Sequence, residues 1–122
     1  MLCIEIAKFC PENIHFKNAT TNTIIPNGSF RYINYIHSDM TLSTVYLIYS
    51  SQNIHLLPEI EKEFLKISPK IKQYKFHQLP FKPNSILKIT GIWESSKYCG
   101  VSFKIIHLPY TLQDINYSNR KV

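Results

Sequence analysis

Ser85-Ile-Leu-Lys-Ile-Thr-Gly-Ile-Trp-Glu-Ser-Ser-Lys-Tyr-Cys-Gly-Val-Ser-Phe-Lys-Ile-Ile-His107 decides the fold class, because two β-rich runs flank a short polar turn. Ile, Val, Phe and Trp favour the pleated, half-buried surface of a strand, so the stretch reads as a hairpin. Successive strand residues point to opposite faces, and Lys88 and Lys104 are therefore expected on a solvent- or ligand-facing side. With the turn centred on Ser95-Ser96 the two lysines become close neighbours across the strands. They are directly opposed only if one strand carries a bulge, which Gly100 offers; Gly91 is also read as marking a bulge that coils the hairpin. Trp93 alternates with Leu87, Ile89 and Gly91, which ranks a core anchor ahead of a stacking platform.

Working outward, Leu57-Pro-Glu-Ile-Glu-Lys-Glu-Phe-Leu-Lys-Ile-Ser68 is the one convincing helix, with Pro58 in its first turn and Pro69 stopping it. Leu57, Ile60, Phe64 and Ile67 form its apolar stripe, while Glu59 with Lys62 and Glu63 with Lys66 pair on the outer side. Upstream, Leu2, Ile4 and Ile6 alternate as a strand ending before Pro11, and a short strand is expected at Ile14 to Lys17. Asn18 to Thr23 has loop composition, and Pro26-Asn27-Gly28 is a turn. From Ser29 a β-rich passage puts Phe30, Tyr32 and Ile36 on one face and Arg31, Ile33, Tyr35 and His37 on the other. Ser38-Asp39 breaks it before Leu42 to Tyr49, and the two runs are expected to pair as a hairpin. Tyr32, Tyr35, Tyr46 and Tyr49 are amphipathic strand residues, about half of them expected to be partly buried.

This order of elements predicts a mostly β fold, a small five-stranded OB-like barrel with one capping helix. An α+β antiparallel sandwich is the alternative. Residues 1–111 form a single β-rich domain on this reading, and 112–122 a polar tail that frays.

The formal charge is +6, from 14 basic residues against 8 acidic ones, which favours a polyanionic partner. All the cations but Arg31 and Arg120 are lysines, so bidentate base readout is poorly supplied and sequence preference should be weak. Cys3, Cys10 and Cys99 show neither disulfide nor zinc spacing, and reduced thiols are expected. Met1 to Lys8 lacks a basic leader and an apolar core, so neither secretion nor membrane spanning is expected. Heavy use of Ile, Asn, Lys, Ser and Tyr is the bias of an AT-rich genome, such as that of a parasite, virus or mobile element.

Catalytic signatures fall short. His15, His37, His55, His77 and His107 are scattered singly, and adjacent residues such as His37-Ser38-Asp39 cannot form a relay. Gly28, Gly91 and Gly100 make no phosphate-cradling loop. No enzymatic activity, cofactor or metal is expected.

Lysines interleaved with rings suit single-stranded nucleic acid, whose phosphates need cations and whose bases stack. The candidate contacts are Arg31, Tyr35, Lys72, Tyr74, Lys75, Lys88, Trp93, Phe103 and Lys104. Leu87-Lys-Ile-Thr-Gly-Ile-Trp-Glu followed by Tyr98-Cys-Gly-Val-Ser-Phe-Lys resembles the last hairpin of single-stranded-DNA-binding proteins of large DNA viruses and virus-like mobile elements. The resemblance covers roughly a fifth of the chain. It implies an OB-fold that coats displaced single strands, with Lys88, Trp93, Phe103 and Lys104 lining or supporting the groove. The expected function is non-sequence-specific binding of single-stranded nucleic acid, DNA ahead of RNA, in the nucleus or cytoplasm of a host cell. The alternative is a small viral accessory protein that binds a host protein, or forms a homo-oligomer, through a strand edge.

Overall fold

The computed structural model describes residues 2–22, 27–79 and 85–108. Its elements run β1 (Cys3–Glu5), β2 (Ile14–Phe16), β3 (Thr20–Asn22), β4 (Gly28–His37), β5 (Met40–Leu42), β6 (Val45–Ile48), α1 (Leu57–Leu65), β7 (Ile71–Lys72), β8 (Ser85–Glu94) and β9 (Tyr98–His107). Single 3-10 turns occupy Ile6–Lys8, Pro11–Asn13, Ile54–Leu56 and Phe76–Gln78.

The β8–β9 hairpin is the spine. Ser95 and Tyr98 close it: the Ser95 N–H donates to the Tyr98 carbonyl at 2.7 Å, and the Tyr98 N–H donates to Ser95 Oγ at 3.0 Å. The turn therefore centres on Ser96-Lys97, one residue later than the composition suggests. Register runs from Glu94↔Cys99 to Ser85↔His107 and shifts once, between Ile89 and Gly91, leaving Thr90 as the extra residue of a β-bulge. The bulge thus lies in β8, and Gly100 pairs regularly with Trp93.

That one residue changes which side chains face the core. Leu87 and Ile89 point inward, and after the bulge so does Ile92; all three are fully buried. Each contributes roughly 1.5–3 kcal/mol of burial, an upper figure against a fully extended unfolded chain. Trp93 moves to the opposite face and is only half-buried, which corrects its expected role as a core anchor.

The bulge also marks a change of partner along the other edge of β8. Ile86 to Ile89 pair with β6, whereas Gly91 to Glu94 pair with the first half of β4. The second half of β4 leaves β8 and pairs with β2 and β5, so β4 is shared between two sheets. The nine strands of the described residues connect into one mixed network, in which β1–β6 and β7–β9 are parallel and the remaining pairs antiparallel. Among the described residues the fold is mostly β with one α-helix, as expected. It is an open mixed sheet, neither limited to five strands nor wholly antiparallel.

Several local expectations change. Thr20–Asn22 is a strand on the edge of β4, not part of a loop. Only Met40–Leu42 returns along β4, across Ser38, which adopts a φ of 54°. The rest of that run, β6, crosses to β1 and β8 because Val45 and Leu47 are apolar on one side and bury completely there. Helix α1 ends at Leu65, and Ile67 is exposed. Pro69 disfavours a helical Ser68, whose hydroxyl instead donates to Glu94 Oε2 at 2.7 Å. The core-facing stripe is Leu57, Ile60, Glu61, Phe64 and Leu65. Glu61 is buried because its carboxylate accepts the N–H groups of Lys75 at 2.7 Å and Phe76 at 3.0 Å, which pins the 3-10 turn at Phe76 against the helix. Phe64 stacks on Phe9, centroids 5.8 Å apart, and Phe9 on Tyr35 at 5.1 Å, which joins helix and sheet in one core. The expected turn residue Pro26, the segment Pro80 to Pro83 and the polar tail lie outside the described residues.

Candidate functional site

Residues directly opposite one another in neighbouring strands project to the same face, so the register of β4, β6, β8 and β9 reads out the face that looks away from the core. Its first open row is Tyr46, Lys88 and Lys104, with Lys88 directly opposite both neighbours. The row beyond it, Ile48, Ile86 and Ile106, is apolar, and Ile86 is fully buried there. Toward the hairpin tip the next row is Tyr32, Gly91 and Ser102, with the bulged Thr90 hydroxyl lying 3.3 Å from Ser102 Oγ. The third row is Phe30, Trp93 and Gly100.

Two glycines shape the aromatic part. A Cβ at Gly100 would stand 2.7 Å from three indole atoms, Cε2, Cζ2 and Nε1, so the Trp93 ring lies face-down across that backbone. A Cβ at Gly91 would come within 2.8 Å of Phe30 Cε1, so this ring also leans over a glycine. Tyr32, 50% exposed, tilts against Phe30 with centroids 4.7 Å apart. Lys17, also exposed, flanks this end and donates its N–H to the Tyr32 carbonyl at 2.9 Å.

The lysine row carries unbalanced charge. Cβ atoms of directly opposed residues lie about 4.5–5.5 Å apart, and like charges so placed repel. Among the described residues, neither Lys88 nor Lys104 has a carboxylate partner; the ion pairs are Lys8–Glu5, Arg31–Glu94, Lys62–Glu59 and Lys66–Glu63.

Of the residues singled out from sequence, the fold brings Lys88, Trp93 and Lys104 onto this face. Arg31 is on the inner side of β4, where its Nε donates to Glu94 Oε1 at 3.2 Å and neutralises a buried acid. Tyr35 is 1% exposed and structural: its phenol oxygen accepts the Cys10 N–H at 2.9 Å. The pairing of Arg31 with Tyr35 on one face holds, but it is the core face. Phe103 is likewise turned inward, edge-on to Phe76 at 5.1 Å and 83°. Lys72 lies opposite Cys99, and its ammonium donates to the Ser68 carbonyl. Tyr74 is exposed beside Lys75, on a segment outside these rows whose backbone Glu61 holds.

Phe30, Tyr32 and Tyr46 belong to the face and were not singled out as contacts. Alternation had already placed Phe30 and Tyr32 together and opposite Arg31, a signal sufficient to find them. Tyr46 needed the β6–β8 register, which no local pattern carries.

Among the described residues no cluster of His, Cys, Asp and Glu is arranged to hold a metal, and no helix is long and apolar enough to cross a membrane. Comparison with family models, with curated proteins and with solved structures gives no match to this chain.

Proposed function

We propose that the outer face of β4, β6, β8 and β9 binds single-stranded nucleic acid without sequence preference, DNA ahead of RNA, as a binding protein and not a catalyst. The observation that carries this reading is the direct opposition of Lys88 and Lys104 on the face that also presents Trp93. Two unpaired cations held together are stabilised by an anion between them, and a ring laid flat on the sheet offers its free side to a base. The hairpin's resemblance to viral single-strand-binding proteins points the same way. An OB-type relationship is supported by the helix inserted ahead of the closing hairpin and by a strand shared between two sheets. Action inside a host cell fits the free thiols of Cys3, Cys10 and Cys99.

The test is fluorescence anisotropy with oligo-dT and with duplex of equal length at moderate salt. Tighter binding to oligo-dT is expected, because only unstacked bases reach the rings. Equal affinities would reduce the interaction to a plain cation effect.

A second reading, strand addition by a host protein or a second copy, is favoured by one feature. Along β9 from Gly100 to His107, the edge away from β8 has no strand partner among the described residues. Lys104 in the middle of that edge weighs against it, since an edge lysine blocks pairing. Salt separates the two readings: nucleic-acid binding weakens steeply with added salt, whereas an apolar strand interface barely responds.

A further inference from the structure

The face is divided, and the division specifies its ligand. We propose, resting on the single-strand reading above, that the site takes an oligonucleotide laid along β8 and β9, and that a mononucleotide is too short to use it. The anion station is the Tyr46, Lys88 and Lys104 row, and the stacking station is Trp93 on Gly100 beside Phe30. From Lys104 to Gly100 along β9 is four residues, about 13 Å at strand rise. Between them lies a row that carries no charge, in which Thr90 and Ser102 are hydrogen-bonded to one another. A base and its own phosphate are separated by one sugar, so a phosphate at the lysines and a base on Trp93 belong to different nucleotides of one strand.

Gly100 becomes a positioning residue in this arrangement. Its missing Cβ is what lets the indole lie flat; an alanine would come 2.7 Å from the ring and tilt it off the backbone. The lysine row, four residues away, is left as it was.

Trp93 is the single tryptophan of the chain, so its fluorescence reports the stacking station alone. The full chain is titrated with thymidine monophosphate and then with oligo-dT of increasing length. The monophosphate is expected to leave the emission unchanged. Quenching should begin once the strand spans both rows, with affinity rising about tenfold for the length that first adds the stacked base. Gly100→Ala should lose most of the quench and the preference for single strands while its salt slope stays at the wild-type value. Full quenching by the monophosphate, with one-for-one competition against oligo-dT, would overturn the two-station arrangement and leave single-strand binding standing. Wild-type quenching by a folded Gly100→Ala would remove Gly100 as the positioning residue. Failure of every length to bind sinks the single-strand reading itself. The length series uses the wild-type protein and does not depend on the variant folding.

Discussion

Lys88 and Lys104 face each other at a position where the sheet would be more stable without one of the charges. Replacing both by alanine is therefore expected to leave the thermal midpoint unchanged or slightly raised. Affinity for oligo-dT should fall, and the slope of log K against log salt should drop by roughly one to two units, at about 0.7 per lost phosphate contact. A double variant with wild-type affinity and slope would show that the hairpin is scaffolding. Arg31 teaches the opposite lesson. From its strand it looked as available as the lysines, but its acid, Glu94, is 63 residues away in sequence, and no local pattern announces that partnership. Truncating Arg31 removes the cation beside a nearly buried carboxylate, so it is a stability change and a poor probe of binding.

At the scale of elements, α1 was the most legible part of the chain. Its start and its outer Glu–Lys pairs follow from spacing, and the pairs form, with Lys66 Nζ 2.6 Å from Glu63 Oε1. Of its apolar stripe, Leu57, Ile60 and Phe64 bury as spacing predicts, whereas Ile67 is exposed and Glu61 and Leu65 complete the buried face. Its end was less legible, because Ser68 answers to Glu94 across the sheet and not to the helix. Phe64, fully buried and stacked on Phe9, fills the junction between helix and sheet. Phe64→Ala should cost about 3–5 kcal/mol, read from the denaturant midpoint. An unchanged midpoint would mean that the helix does not close the core. The β8–β9 hairpin was legible as a pair, whereas Thr20–Asn22 was not legible as a strand and β6 was not legible as a partner of β1 and β8. A single bulged residue at Thr90 turned Trp93 outward; Gly91 beside it marks such a bulge, but alternation counted from Leu87 did not carry the reversal through to Trp93.

For the molecule as a whole, two buried phenols link stability to alkaline pH. Burial pushes Tyr35 and Tyr49 above the ordinary tyrosine value of 10.0, opposed for Tyr35 by the hydrogen bond from Cys10 and for Tyr49 by that with Ser85. A phenol raised on folding contributes stability that is fully present below the unfolded value and is lost as pH rises through the folded one. Thermal midpoints measured from pH 8 to 11 should therefore hold until about 10 and then fall. Tyr35→Phe should start lower, since the Cys10 N–H loses its acceptor, and should fall less steeply above pH 10. Parallel curves would show that Tyr35 does not titrate with unfolding.

Composition and periodicity by themselves determined that this chain is mostly β, that it has one amphipathic helix placed before a closing hairpin, and that Lys88 and Lys104 stand outside the core. Those are properties of neighbours in sequence: propensity, alternation and spacing act over a few residues. Tertiary structure alone decided that Trp93 joins the lysines while Tyr35, Phe103 and Arg31 turn inward. It also decided that Tyr46 lies beside Lys88 and that β4 divides between two sheets. These depend on register and on a bulge, where one residue reverses every side chain that follows, and on partners such as Glu94 and Glu61 that meet their ligands only once distant segments have packed.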